Sequence, residues 1–150
     1  MSIFMFKEVF DMKRFVIERD FEYKGFRCVV IFTKGGFRNG YVGYSEPHDL
    51  TDEEKEKIET EFCCHGGVTY IGGGKGSHHP VNSDLHWLGF DCAHWGDGVD
   101  INLVISRGLM TRAEANFVYV DPDYHVCTEE EVAQECMRLA DQMDGAGYHG

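Results

Sequence analysis

The stretch Phe15–Phe32, FVIERDFEYKGFRCVVIF, decides the fold class of this chain. It contains two runs in which side chains alternate between two faces, as they do along β-strands. The segment Glu22–Gly25 (EYKG) separates the runs and predicts a hairpin turn. A short third strand, Tyr41–Tyr44, is predicted after Asn39-Gly40, a dipeptide typical of turns. These strands indicate an antiparallel sheet.

Two helices with capping signals follow the first strands. Residues 51–62 begin with Thr51 and have Glu54 three residues later, which is the spacing of a capping box. Thr128 and Glu131 repeat that spacing at the start of a longer helix. The apolar face of the longer helix predicts packing across a sheet and consists of Val132, Cys136, Leu139, Ala140 and Met143. We expect the tail, residues 144–150, to be frayed.

Three more strands are predicted between and around these helices. They are Gly66–Ile71, His86–Asp91 and Asn116–Val120, and the glycine-rich loop Gly72–Asp84 joins the first two. Runs of strands with two isolated helices predict an α+β fold, in which two principal helices pack on a mainly antiparallel sheet. We expect residues 1–150 to form a single domain.

The composition limits the kinds of partner that the protein can bind and the cellular compartment in which it acts. The formal net charge of −12 repels phosphate and argues against general nucleic-acid binding, whereas it suits a basic partner. Residues 1–15 lack the pattern of a secretory signal, and no apolar run is long enough to span a membrane. The six cysteines do not have the spacing of a disulfide framework. We therefore expect a cytoplasmic protein without membrane contact.

The segment Trp87–Asp97, WLGFDCAHWGD, is the first candidate site. Cys92 and His94 can project together from an extended backbone, and Asp97 follows a glycine and can turn back towards the imidazole. A thiol beside a histidine and a carboxylate can act as a nucleophile. The same atoms are zinc ligands. In the alternative interpretation Cys92 is simply buried, and His94 forms a hydrogen bond to Asp91 or Asp97 that ends the strand without any further function.

A second candidate site is His65-Gly66-Gly67. Backbone N–H groups at the two glycines can form an anion or oxyanion pocket, although a helix stop followed by a bulge would use the same residues. If the strands 66–71 and 86–91 are neighbours, His65 lies near Cys92. The loop residue Lys75 is a candidate for anion capture, but GGGKGS lacks the spacing of a phosphate-binding loop. We favour the hypothesis that this loop is a mobile lid over the neighbouring site. The adjacent histidines His78 and His79 are more typical of an ordinary polar loop than of a metal site.

The motifs HGGVTY and WLGFDCAHWGD, together with NGYVGY before them and the acidic helix EEVAQECMRLADQM after them, carry a resemblance. Over roughly residues 38–143 the chain resembles a group of small proteins encoded by phages, plasmids and bacteria. The resemblance implies an accessory gene of mobile elements, active in the host cytoplasm, and a single site formed by both motifs. Its motif positions are His65, Gly66, Gly67, Asp91, Cys92, His94, Gly96 and Asp97.

Three classes of function remain open. The first is an accessory factor that binds a small ligand or a host protein with a basic surface, for example as an inhibitor of a defence system. The second is a small hydrolase or transferase, with or without zinc, whose catalytic residues are Cys92, His94, Asp97 and His65. In the third, the motifs are purely structural. The candidate ligand-binding residues are Gly66, Gly67, Asp91 and Lys75, and the candidate zinc ligands are His65, Cys92 and His94.

Overall fold

A computed structural model describes residues 14–46, 48–75 and 79–150 of the chain. Its five strands form one antiparallel sheet in the order β1-β2-β3-β5-β4. The strands are β1 (Phe15–Tyr23), β2 (Phe26–Thr33), β3 (Arg38–Tyr44), β4 (Tyr70–Gly73) and β5 (His86–Asp91). The predicted α+β class with an antiparallel sheet is therefore confirmed.

The first hairpin forms where the sequence predicts it. Lys24 and Gly25 have φ of 51° and 85°, the left-handed pair that a two-residue hairpin turn needs. The prediction of a turn at Asn39-Gly40 is wrong, because both residues lie in β3. Gly40 is required there by packing, since a Cβ atom would lie 2.5 Å from the ring of Phe90.

In the part of the chain that the structure describes, four helices accompany the sheet, two more than predicted. They are α1 (Asp52–Glu61), α2 (Ile101–Ser106), α3 (Arg112–Ala115) and α4 (Glu129–Gly145). The capping boxes predicted for α1 and α4 are both present, and a third box at Thr111 and Glu114 starts α3. The long helix α4 packs across β1, β2 and β3, and every residue of its predicted apolar face is buried.

Three local predictions differ from the structure. β4 begins at Tyr70 rather than at Gly66. Residues 116–120 form no strand, because the N–H groups of Phe117 and Val118 continue the turn of α3 by donating to carbonyl groups of that helix. The tail is not frayed, since the N–H of Ser45 donates to the carbonyl of His149 at 2.8 Å.

The two faces of β5 point into different parts of the core. Leu88 and Phe90 lie in the main cluster with the buried face of α4, as does Cys92 just beyond the strand, whereas Trp87 packs on the opposite face. Successive side chains of β5 thus alternate between the two faces of the sheet. The predictions for residues 1–13 and for His78 lie outside the described residues. Within the described ranges, no helix has the length and apolar character needed to cross a bilayer.

Candidate functional site

Three donor side chains from distant parts of the chain meet at one end of β5. His65 lies in the turn between α1 and β4, Cys92 directly follows β5, and Cys127 precedes the N-cap of α4. One ligand atom from each residue lies within 4.8 Å of the other two. The predicted approach of His65 to Cys92 is confirmed, because β4 and β5 are neighbouring strands. Cys127 is a member that the sequence argument missed.

Asp97 orients the imidazole of His65. Its two carboxylate oxygens both lie 2.9 Å from Nε2 of His65. The carboxylate also accepts the backbone N–H of His94 at 2.9 Å, across a tight turn in which Gly96 has a φ of 92°. Burial disfavours the charged imidazole, but the hydrogen bond to Asp97 and the negative charges of Cys127, Asp97 and Glu135 together outweigh it and raise the pKa of His65.

The sulfur atoms of the two buried thiols lie within 4.8 Å of each other. Their interaction lowers the pKa of Cys127 to about 7 and raises that of Cys92. The charge of His65 acts in the same direction on Cys127, whose sulfur lies 3.8 Å from Nε2 of His65 and 3.9 Å from Oδ1 of Asp97. Cys127 is therefore the thiol that ionises first.

Arg38 ties both cysteines to β3. Its carbonyl accepts the backbone N–H of Cys92 at 2.9 Å, and its guanidinium donates to the carbonyl of Cys127 at 2.9 Å. One residue thereby fixes the backbone beside each thiol. The segment before α4 is held further by the N–H of Gly98, which donates to the carbonyl of His125 at 2.8 Å.

A buried carboxylate holds Arg38 in place. Glu18, whose side chain is 3% exposed, accepts from Arg38 at 2.6 Å and from Arg107 at 2.7 Å. Burial alone would raise the pKa of Glu18, but the two guanidinium groups outweigh it and lower the pKa. Both guanidinium groups also lie over the ring of Phe32, at 5.1 and 5.2 Å from its centre.

His94 lies beside the cluster and is not one of its three members, which corrects the predicted zinc set. Its Nε2 makes an ion-pair contact with Asp91 at 3.2 Å that lacks hydrogen-bond geometry. Asp91 also accepts from the hydroxyl of Thr69 at 3.0 Å. The ring of His94 covers Gly66 so closely that a Cβ atom added there would collide with it. His94 and Asp91 thus lock the two motifs together next to the cluster.

The predicted anion pocket receives little support from the backbone. The N–H of Gly67 donates to the carbonyl of Cys64 at 2.9 Å and so closes a turn. Lys75 is an exposed loop residue, 3.7 Å from Asp84. Neither residue lines the cleft at the cluster, and ligand binding by Gly66, Gly67 and Lys75 stays a prediction.

The cluster opens into a cleft of about 250 Å³. Its lining residues are His65, Cys92, Cys127, Glu131, Val132, Gln134 and Glu135. The first turns of α4 therefore form one wall and bring two carboxylates to the mouth. A larger cleft of about 460 Å³ lies between α1 and the C-terminal tail and contains none of the cluster residues.

No protein-family model, no curated protein and no solved structure matches the chain. The function is therefore inferred from the geometry of the cluster. The sequence contains one signal for Cys127, namely that it directly precedes a capped helix. Thiols at helix N-termini often have a lowered pKa, but that signal does not name the partners of the thiol.

A pair of glycine variants tests how tightly the two motifs are locked. Gly66 and Gly67 both have positive φ, 69° and 83°, so alanine strains the backbone at either position. Only at Gly66 does the new Cβ also meet His94. We expect Gly67→Ala to cost about 1 kcal/mol of unfolding free energy and Gly66→Ala roughly 1–3 kcal/mol more. Urea denaturation measures both, and equal losses would contradict the close packing of His94.

Proposed function

We propose that the protein is a small zinc-dependent hydrolase whose metal is bound by His65, Cys92 and Cys127. The observation that carries the proposal is the convergence of one imidazole nitrogen and two thiols within 4.8 Å. Tetrahedral zinc holds sulfur ligands about 3.8 Å apart, with bonds of about 2.3 Å to sulfur and 2.0 Å to nitrogen. The three side chains therefore need only a small contraction to bind the ion.

The number of ligands favours a catalytic over a structural zinc site. Structural sites have four protein ligands, whereas catalytic sites have three and leave one position open to the cleft. Zinc bound there would supply a Lewis acid at neutral pH. If the ion is bound through Nδ1 of His65, Asp97 would keep its hydrogen bonds to Nε2 and orient the ring. Glu135 lines the cleft and could accept a proton there, while Arg138 lies 3.2 Å from its carboxylate.

Metal content tests this proposal directly. Protein purified without chelator should contain about one zinc per chain, measured by elemental analysis. After the metal is exchanged for Co²⁺, a sulfur-to-cobalt charge-transfer band should appear in the near ultraviolet. Protein that binds no metal in the presence of excess zinc, with its thiols reduced, would rule the proposal out.

A thiol nucleophile is the second candidate, and the lowered pKa of Cys127 favours it. In this alternative the thiolate of Cys127, paired with protonated His65, would attack an electrophilic carbon and displace its leaving group, which would take the proton from His65. Asp97 would hold the imidazolium through Nε2. The arrangement uses the same cleft but requires that no metal occupies it. The two candidates therefore differ in metal content and in the state of the thiols.

The pH dependence of alkylation tests the thiol in metal-free protein. A thiol with a pKa of about 7 is half ionised at pH 7, where an ordinary cysteine is only a few per cent thiolate. We expect alkylation of Cys127 by iodoacetamide to fall as pH drops through about 7. Cys92→Ala removes the neighbouring thiol whose interaction lowers the pKa of Cys127, so the midpoint should move upwards. The exposed Cys63 is replaced by serine in every sample to remove its background.

An accessory role for the protein is supported by different observations. The resemblance to small phage, plasmid and bacterial proteins and the net charge of −12 favour binding of a host protein with a basic surface in the cytoplasm. Inhibition of a defence system would be one outcome of such binding. This role does not depend on zinc, and it requires a surface that recognises the partner.

A further inference from the structure

The two sulfur atoms of the cluster belong to free thiols that face the same cleft. All six cysteines of the chain are free, and the sulfur atoms of Cys92 and Cys127 lie within 4.8 Å of each other. Each of these two residues is largely buried in the protein, but both line the cleft of about 250 Å³. A small oxidant that enters the cleft can therefore contact both sulfur atoms.

Hydrogen bonds that do not involve sulfur hold the backbone beside both thiols. The carbonyl of Arg38 accepts the backbone N–H of Cys92, and its guanidinium donates to the carbonyl of Cys127, both at 2.9 Å. The N–H of Gly98 donates to the carbonyl of His125 at 2.8 Å and ties the two segments together a few residues further on. The segments that carry the thiols are therefore fixed side by side in the folded protein.

The remaining gap between the sulfur atoms is within the reach of the side chains. A disulfide bond is about 2.05 Å long. Rotation of a cysteine side chain between two staggered rotamers moves its sulfur by up to about 3 Å. A change of rotamer can therefore cover the gap while the backbone hydrogen bonds stay in place.

We propose that Cys92 and Cys127 form a reversible disulfide when the protein reacts with a hydroperoxide, and that this disulfide inactivates the site. Disulfides in the reducing cytoplasm are typically transient bonds of this kind. Such regulation goes beyond the proposed function and applies to both of its candidate reactions. Zinc binding and nucleophilic attack each need a thiolate, and neither sulfur of a disulfide is one.

The reaction with hydrogen peroxide takes place in two steps. The thiolate of Cys127 attacks one oxygen, the O–O bond breaks, and the departing hydroxide takes a proton from protonated His65, whose Nε2 lies 3.8 Å from the sulfur. The thiol of Cys92 then attacks the sulfur of the resulting sulfenic acid. The S–O bond breaks, and hydroxide leaves with the proton of Cys92 as a second water. The two cysteines have lost two electrons in total, and the peroxide has been reduced to two waters.

Peptide mapping of metal-free protein tests the disulfide. The full chain carries Cys63→Ser, which removes its exposed thiol, and is reduced, treated with chelator and then with hydrogen peroxide. We expect the loss of two of the five remaining thiols and a digest that contains the Cys92 peptide cross-linked to the Cys127 peptide. Dithiothreitol should restore both thiols. Cys28 and Cys136 are fully buried and do not line the cleft, so they are the internal control and should stay reduced.

Cys92→Ser tests whether Cys92 resolves the sulfenic acid of Cys127. Without the second thiol, dimedone should trap at least about fivefold more sulfenic acid, and excess peroxide should produce sulfinic acid that dithiothreitol does not reduce. Equal trapping and equal recovery in the variant and its parent would overturn the proposal. A parent digest that lacks the Cys92–Cys127 cross-link, or that links other cysteines instead, would also overturn it and does not depend on how the variant folds.

Zinc-loaded protein separates this disulfide from the zinc site. Peroxide should release one zinc for each disulfide formed, measured with a coloured zinc indicator. Zinc that remains bound after peroxide treatment would overturn the inactivation, even if metal-free protein forms the cross-link. A disulfide in protein that binds no zinc supports the proposal and rules out the zinc hydrolase. Zinc binding by protein whose metal-free form gives no disulfide overturns the proposal and leaves the hydrolase standing.

Discussion

Cys127→Ala should lower the zinc affinity of the protein by more than about 100-fold, since changing a residue that only hydrogen-bonds a metal ligand already costs about 10–100-fold. The variant removes one of the three donors that lie within 4.8 Å of one another. The remaining imidazole and thiol cannot complete a zinc site with protein ligands. Competition with a coloured chelator measures the affinity, and the sulfur-to-cobalt band should weaken in parallel.

His94→Ala is the matched control for that experiment. His94 is a potential ligand in the same motif as Cys92, but its imidazole contacts Asp91 and covers Gly66 instead of joining the cluster. We expect this variant to keep its zinc stoichiometry. If His94→Ala loses zinc while Cys127→Ala retains it, the ligand set predicted from the sequence replaces the one proposed from the structure. Circular dichroism of both variants shows whether either change has unfolded the chain.

Elements with strong local signals could be predicted from the sequence. The hairpin turn at Lys24-Gly25, the strand His86–Asp91 and the capping boxes at Thr51 and Thr128 all depend on residues close together in the chain. Asn39-Gly40 misled the prediction because its glycine serves packing against Phe90 in the middle of a strand. Tertiary contact decided that position, and no local pattern reports such a contact.

The candidate site also contains residues whose meeting could be predicted from the sequence and one residue whose position could not. His65 and Cys92 could be predicted to meet because they flank neighbouring strands. Cys127 could not, because its position depends on the side chain of Arg38, which lies 89 residues away in sequence. The pairing of Arg38 with Glu18 is equally non-local, as the two residues come from β3 and β1. Two members of the cluster are therefore positioned by strand pairing and the third by a buried ion pair.

That ion pair gives the second large expected effect. Glu18→Ala leaves the guanidinium groups of Arg38 and Arg107 without the buried carboxylate that they share. Breaking a buried pair by removing one partner costs about 3–5 kcal/mol. We expect a loss of that size in the free energy of unfolding, measured by urea denaturation. Because Arg38 also donates to the carbonyl of Cys127, zinc affinity should fall in the variant even at temperatures where it is fully folded.

Asp20→Ala provides the comparison on the same strand. Asp20 pairs with Arg27 through two hydrogen bonds of 3.0 and 2.7 Å, but the pair is exposed. Exposed pairs contribute about 0–1 kcal/mol, and this one has no bond to the cluster, so zinc affinity should not change. A loss in Glu18→Ala no larger than in Asp20→Ala would mean that water replaces the buried carboxylate. A large loss of stability with unchanged zinc affinity would mean that Cys127 is held without Arg38, by the backbone bond of Gly98 to His125.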